Sequence, residues 1–382
     1  MRICRVIKYV PPIVGGMEFH SEYLSQQQAE DGDEVELFYL RGNLESPHPR
    51  VTTRRVPLAG LIGLLAKDTL MSFAFALIVF PMVWWANRRR PFDVVHLHGD
   101  VFEALNGVLF WKLLGIPSVI TVHAGLNTKW AYRLVAGRVF KRMPWIIAHS
   151  REIGDEMASL KVNLDRVSFS SSGIWVDRFQ PLSLDERASE RAKYGLSKDE
   201  TVVVTVGRLH LMKGHEFLIE AVNILGDDFD GRLVFVGDGP ERDRMVARAA
   251  ALGDKVLFLG EHGHESIPLL LAMADIYVLV SITLDQQRES TPTAMKEALA
   301  AGLPLIATPV GGIKDHITDG ENGIVVPEQD AEAIAQALRK LIGDPQLRVE
   351  MSARNRRQAV NYDWSGVTGE VRQVYINAGA AG

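Results

Sequence analysis

The stretch ESTPTAMKEAL, residues 289 to 299, sets one glutamate ahead of a Thr-Pro helix start and a second glutamate eight positions later. Thr291 is expected to cap the helix, Pro292 to take its first position, and Gly302 to follow its end. On that register Glu289 lies in a loop and Glu297 about one and a half turns into the helix, so the two are not stacked as glutamates four apart would be. One carboxylate projects at the helix mouth and the other from its flank. Both can accept hydrogen bonds from hydroxyls on different parts of one long ligand, and a carboxylate gripping vicinal hydroxyls is how proteins commonly hold ribose. A second constellation is GRLHLMKGHEFLIEAV, where Arg208 and Lys213 share a short loop before a helix. A guanidinium and an ammonium converging on a helix N-terminus would neutralise a diphosphate without a metal; two solvated surface cations are the alternative. In PPIVGGMEFHSEYL, Gly15 and Gly16 precede a helix, where they either let backbone N–H groups face a phosphate or make a tight turn. LVFVGDGPE holds a Gly turn with Pro240 placed as the first helical residue, either a plain turn or a wall of a nucleotide pocket.

These loops need a frame. Runs rich in Val and Ile recur between helix-sized stretches: ICRVIKYV, EVELFYL, FDVVHL, SVITV, WIIAH, TVVVTVG, RLVFVG, KVLFLG, IYVLVS and LPLIAT. Such runs indicate parallel strands buried on both faces in βα repeats, and the loops after the strands are where an open parallel sheet binds ligands. At 382 residues the chain suggests two domains on a prior of about 100 to 200 residues each. The divide is expected near GIWVDRFQPLSLDERAS, residues 173 to 189, and an aromatic helix, YDWSGVTGEVRQVYINAG, follows the second strand set.

Core material is plentiful at 47% hydrophobic residues, and a formal charge of −5 gives no global attraction for nucleic acid, which is not an expected partner. The single cysteine, Cys4, leaves no disulfide framework or cysteine-based metal site, as in a reduced, cytoplasmic environment. RICRVIKYV reads as a first strand rather than a secretory signal. His96 and His98, in VVHLHG, are read as pointing to opposite faces of a strand, and no cluster shows metal-ligand spacing. No metal or cofactor is expected.

GRLHLMKGHEFLIEAV, LVFVGDGPE, ESTPTAMKEALAAGLPLIATPVGGI and DGENGIVVP, in that order and spacing, resemble the family 4 retaining glycosyltransferases of GT-B fold. VGGME, FDVVHLHGD, TVHAGL, SSGIWVDRFQP and YDWSGVTGEVRQVY extend the likeness over nearly the whole chain. The resemblance implies two Rossmann-like doubly wound α/β domains facing across a cleft: an acceptor-binding domain at 1–175, completed by a C-terminal helix at 363–382, and a donor-binding domain at 176–362. It implies a metal-independent hexosyl transfer from a nucleotide-sugar donor to a hydroxyl of a sugar or lipid-linked acceptor, as in polysaccharide, lipopolysaccharide or glycolipid assembly. Arg208 and Lys213 would bind the diphosphate, Glu297 the ribose, and Glu289 would face the transferred sugar. Gly15 and Gly16 would offer N–H groups, His123 would approach the donor sugar, and the loop around His262 would lie near the base. Gly207, Gly237, Thr291, Pro292 and Thr293 complete the donor site so implied. Retention without an obvious nucleophile implies a front-face transfer in which the leaving phosphate helps deprotonate the acceptor. Many members carry Gly-Phe-Gly after the first glutamate; here Ser290, Thr291, Pro292 and Thr293 stand there, and Asp315 replaces a common glutamate, which leaves the sugar contacts open. A nucleotide-sugar epimerase and a non-catalytic membrane-associated homologue are the alternatives.

Residues 58 to 90 are the most apolar segment. Leu70 to Ala86 is shorter than the roughly 20 apolar residues a span needs and holds Pro81, so a membrane span is not expected. Trp84 and Trp85 before Arg88, Arg89 and Arg90 have the composition of an interfacial anchor, and TKWAYRLVAGRVFKRM adds Trp130, Lys129, Arg133, Lys141 and Arg142. Peripheral contact of the first domain with an anionic inner membrane face is the expectation.

Overall fold

All ten of these apolar runs form strands, and every strand pairs in parallel with its neighbours. The computed structural model describes residues 1–11, 16–46, 48–57, 68–126, 129–284, 289 and 292–381. Gly15 and Thr291 lie outside the described residues. The chain divides into two units, Met1–Gly173 with Trp364–Gly382, and Ile174–Asp363.

The first unit runs β1 (Arg2–Tyr9), α1 (Gly16–Glu30), β2 (Glu34–Arg41), β3 (Val51–Arg55), α2 (Asp68–Arg89), β4 (Val94–His98), α3 (Val101–Leu114), β5 (Ser118–Val122), α4 (Trp130–Phe140), β6 (Trp145–Ala148), α5 (Arg151–Ser159) and β7 (Val167–Phe169). Its sheet order is β3-β2-β1-β4-β5-β6-β7, so the winding reverses between β1 and β4. The second unit runs α6 (Leu184–Ala192), β8 (Thr201–Val206), α7 (His215–Leu225), β9 (Gly231–Val236), α8 (Arg242–Ala249), β10 (Val256–Gly260), α9 (Ile267–Ala272), β11 (Ile276–Leu279), α10 (Thr293–Ala300), β12 (Leu305–Ala307), β13 (Gly323–Val325), α11 (Ala331–Gly343) and α12 (Pro345–Ala359). Its order is β10-β9-β8-β11-β12-β13, reversing between β8 and β11. The last helix, α13 (Trp364–Asn377), belongs to the first unit. There Arg372 pairs with Asp33 at 2.6 Å and Tyr375 OH lies 2.7 Å from His96 Nδ1.

Three strands escape the sequence pattern: β3 is VTTRR, with four exposed or half-exposed polar positions, and β7 and β13 are three residues each. Edge strands bury one face or less, so they need no long apolar run.

The two sheets are covered differently. In the second unit alternate residues feed two apolar layers: Val202, Val204, Tyr277 and Leu279 enter one core, and Val203, Ile276, Val278 and Ile306 the other. In the first unit Cys4, Val6, Val95, Leu97, Ile120 and Val122 build one apolar core, whereas the opposite face carries Arg5, His96, His98 and Thr121, all buried. His96 and His98 therefore share a face, with ring centroids 4.3 Å apart, contrary to the sequence expectation. Residues two apart on a strand point the same way; only adjacent ones alternate.

Helix α2 also departs from expectation. It continues through Pro81 for 22 residues, and Leu70–Arg89 is long and apolar enough to cross a membrane by length and composition. One face, Met71, Phe75, Val79, Val83 and Ala86, lies in the core of the unit, while Leu70, Phe73, Leu77, Trp84 and Trp85 are exposed.

The second unit is braced by Asp275 ahead of β11. Its carboxylate accepts from Arg187 at 2.5 Å, Arg191 at 2.7 Å and the Val202 N–H at 2.8 Å, and Arg191 is itself buried, donating to the carbonyls of Met273, Lys198 and Glu200. Removing one partner strands a buried charge, so Asp275→Ala should cost roughly 3 to 5 kcal/mol in urea denaturation. A loss under about 1 kcal/mol would contradict this bracing role.

Candidate functional site

The sequence-predicted side chains of the second unit gather at the C-terminal ends of its strands, beside the β8/β11 reversal, where an open sheet leaves a crevice for ligands. Gly207 and Arg208 follow β8, and Arg208 is exposed with no hydrogen bond or ion pair to the described residues. Lys213 ends a short 3-10 turn, Leu211–Lys213, that runs through Gly214 into α7. Its Nζ lies 2.7 Å from Glu289 Oε2, with both side chains largely buried. Ser281 Oγ donates to the same carboxylate oxygen at 3.2 Å, and Thr308 Oγ1 holds the Ser281 carbonyl at 2.5 Å. Lys213 and Glu289, assigned to different parts of a ligand, are thus direct partners.

Two glycines keep these loops close. Gly237, after β9, has φ 131°, and a Cβ there would stand 2.1 Å from the Gly207 carbonyl oxygen. Gly311, after β12, has φ 55°, and a Cβ would stand 1.7 Å from the Glu289 carbonyl oxygen, which also accepts from the Gly312 N–H at 3.2 Å. Only glycine fits where a left-handed backbone faces another main chain. Ser281, Thr308 and Gly311 were not identified as site residues from the sequence. The Gly-Gly pair directly after LPLIATPV was the available signal for the last of them.

Glu297 lies on α10, which begins one residue later than expected: Pro292 is the cap residue, at φ −71° and ψ 118°, and Thr293 the first helical one. An extended ψ keeps Pro292 outside the helix although its φ suits either position. Pro292 is buried and Thr293 half-buried. Burial raises the Glu297 carboxyl to about 7, partly opposed by the neighbouring Lys296 ammonium. Burial lowers Lys296 itself to about 7, its ammonium lying 5.4 Å from the Tyr362 ring centre. The Tyr277 phenol, raised by burial and then by the charges of Glu297 and Glu289, stays protonated and donates to the Val206 carbonyl at 3.4 Å. From the β10–α9 loop it is His264 that comes within 3.6 Å of Glu297 Oε1, while His262 stands edge-on to Tyr194 at 6.2 Å. Burial and then Arg178 lower the His264 pKa, which disfavours a charged ring and weakens this contact as an ion pair.

His123 and Gly16 belong to the first unit. His123 follows β5, with Nε2 3.0 Å from His98 Nδ1, and burial drives its pKa down to about 3, so the ring is neutral at neutral pH. Gly16 opens α1 exposed, and a Cβ there would meet nothing within 4 Å, so packing does not require a glycine.

Two doubly wound units, one with the Lys213–Glu289 pair beside its switch point, fit the class to which the chain's relatives belong: a glycosyltransferase of GT-B type. The chain belongs to Glycosyltransferase Family 4. That family description matches residues 14–178, and "Glycosyl transferases group 1" matches residues 186–358. The chain is 30% identical to D-inositol 3-phosphate glycosyltransferase of Streptomyces avermitilis, over 95% of this chain and 83% of that one. Among solved structures it is similar to Anabaena HepE in complex with UDP, at TM-score 0.80, 19% identity and coverage of 98% and 99%. It is also similar to WaaG, a glycosyltransferase involved in lipopolysaccharide biosynthesis, at TM-score 0.73, 19% identity and coverage of 99% and 100%.

Gly311 and Gly320 both have positive φ, 55° and 73°, but a Cβ at Gly320 meets nothing within 4 Å. Gly320→Ala should therefore cost only the backbone penalty of roughly 1 to 2 kcal/mol. Gly311→Ala should exceed it and also displace Glu289, measured by urea denaturation of both variants. Equal costs would mean that the Gly311 contact with Glu289 is unimportant.

Proposed function

We propose that the protein is a retaining, metal-independent hexosyltransferase that moves a sugar from a nucleoside diphosphate donor to an acceptor hydroxyl. The observation that carries this reading is the Lys213–Glu289 ion pair beside the β8/β11 reversal, with Arg208 in the loop after β8 and Glu297 on α10, the helix after β11. As the donor bond breaks, negative charge grows on the diphosphate. Arg208 and Lys213, beside the N-terminus of α7, are placed to stabilise that charge more in the transition state than in the ground state. Glu289 holds Lys213 in position and faces the sugar, and Glu297 accepts from the ribose hydroxyls. His123, neutral and anchored by His98, serves as a hydrogen-bonding group toward the donor sugar. The acceptor proton passes to the leaving phosphate on the same face of the sugar, which returns the original anomeric configuration.

A lipid-linked acceptor at the cytoplasmic membrane face is favoured by α2, α3 and α4. They expose Leu77, Trp84, Trp85, Trp111, Leu113, Trp130 and Leu134, and Arg88 and Arg89 stack on Trp84 and Trp85 at 4.9 and 3.3 Å. Indole rings flanked by cations suit the headgroup region of an anionic bilayer. WaaG, similar in fold, acts in lipopolysaccharide biosynthesis, which agrees with such an acceptor.

A thermal-shift panel of UDP, GDP, ADP and their sugar conjugates in EDTA tests the donor reading. UDP is the first choice because HepE binds it. A selective shift that Lys213→Ala abolishes is expected; no shift with any nucleotide would contradict the proposal. Nucleotide affinity should rise with pH through about 7 as Glu297 loses its proton. Glu297→Gln should flatten that profile and weaken binding by roughly 10- to 100-fold, the worth of a charged hydrogen bond. A slope that survives in the variant would place the titration elsewhere. The protein should float with anionic vesicles but not neutral ones, and Trp84→Ala with Trp85→Ala should reduce flotation; equal binding to both vesicle types would remove the membrane assignment.

A further inference from the structure

The polar face of the first unit's sheet holds more imidazole than the transfer reaction uses. His20 on α1, His98 on β4 and His123 after β5 each bring a ring nitrogen to within 4.8 Å of the others, and all three are buried. Their ring centroids lie 4.9 to 5.5 Å apart, and His149 sits 4.7 Å from His123. Ser172 Oγ holds His20 through Nδ1 at 3.0 Å, as an outer hydrogen bond orients a metal-bound imidazole. His98 Nδ1 faces His123 Nε2 at 3.0 Å, and His98 Nε2 is buried with no hydrogen bond to the described residues. Two neutral imidazoles can share one proton between such nitrogens, but that leaves one buried ring nitrogen of His98 without a partner.

We propose that His20, His98 and His123 form a three-imidazole site for a borderline-soft divalent cation such as zinc. Imidazole suits zinc, copper, nickel and cobalt, whereas magnesium and calcium require oxygen ligands that this cluster lacks. On a tetrahedral zinc with bonds near 2.0 Å, ligand nitrogens lie about 3.4 Å apart, so the cluster needs only ring rotations to close, and χ2 of histidine is soft. Three neutral ligands leave a fourth position for water or an anion. Arg5 lies buried in the same layer and opposes a dication there, so the site is of moderate affinity. If His123 also serves the donor sugar, which rests on the function proposed above, metal occupancy withdraws it and inhibits transfer, and a chelator restores it.

The test uses the tag-free full chain and cobalt(II). One cobalt per chain with the visible absorption of a four-coordinate ion is expected, displaced by zinc and indifferent to magnesium. His20→Ala and His98→Gln should each weaken binding by at least about tenfold, while His48→Ala, in the loop before β3, leaves it unchanged. Both cluster variants should keep their nucleoside diphosphate thermal shift, so a failed metal site and a failed donor site give different results. X-ray absorption of the zinc-loaded wild-type chain needs no variant: a shell of three imidazoles is expected. Absent cobalt absorption, binding untouched by either variant, or a zinc shell without three imidazoles would overturn the site.

Discussion

The ion pair between Lys213 and Glu289 is the constraint around which the second unit's site is organised. It joins the loop after β8 to the loop after β11, across a separation of 76 residues, and strand order makes it possible because β8 and β11 are neighbours. Both groups are more than four-fifths shielded from water, so their attraction is screened less than on an open surface. Ser281 holds the carboxylate while Thr308 holds the Ser281 carbonyl, and the absence of a side chain at Gly311 lets the Glu289 backbone rest against the following loop.

The two units solve burial in opposite ways. The second unit covers both faces of its sheet with apolar side chains, so its polar chemistry is confined to the loops at the strand ends. The other unit keeps a polar layer on one face, where Arg5 donates to Ser21, Ser25, Gln28 and Tyr375 beneath α1 and α13. Burying a cation and several imidazoles is tolerated because most of their hydrogen bonds are met within the layer, Arg5 Nε and His98 Nε2 being exceptions among the described residues, and desolvation keeps His20, His96 and His98 neutral. The C-terminal helix matters to this arrangement, since Tyr375 reaches both Arg5 and His96.

Much of the fold was legible because the βα code is local. Val- and Ile-rich runs such as TVVVTV announce doubly buried strands, and Gly302, at φ 79°, ends α10 where a helix stop was expected. The strands β3, β7 and β13 were not: β3 is mostly polar and β7 and β13 are only three residues long, whereas β10, also at an edge, keeps its apolar run. Residue type and spacing single out Arg208, Lys213, Glu289 and Glu297 as candidates, but the partnership of Lys213 with Glu289 depends on strand order, which no local pattern carries. The same holds for the histidines. Sequence spacing separates His20, His98 and His123 widely, and the polar face of the sheet gathers them. His264, one turn of loop beyond the expected His262, illustrates a smaller error: in an irregular loop residue number does not set direction.

The most direct test of the account is a double-mutant cycle on Lys213→Ala and Glu289→Gln, read as nucleoside diphosphate affinity by titration calorimetry in EDTA. If the pair organises the donor site, the two changes are coupled by about 1 to 3 kcal/mol, with the double variant little worse than Lys213→Ala alone. Effects that add within about 0.5 kcal/mol would show that the two side chains act independently and that their ion pair does not organise the site.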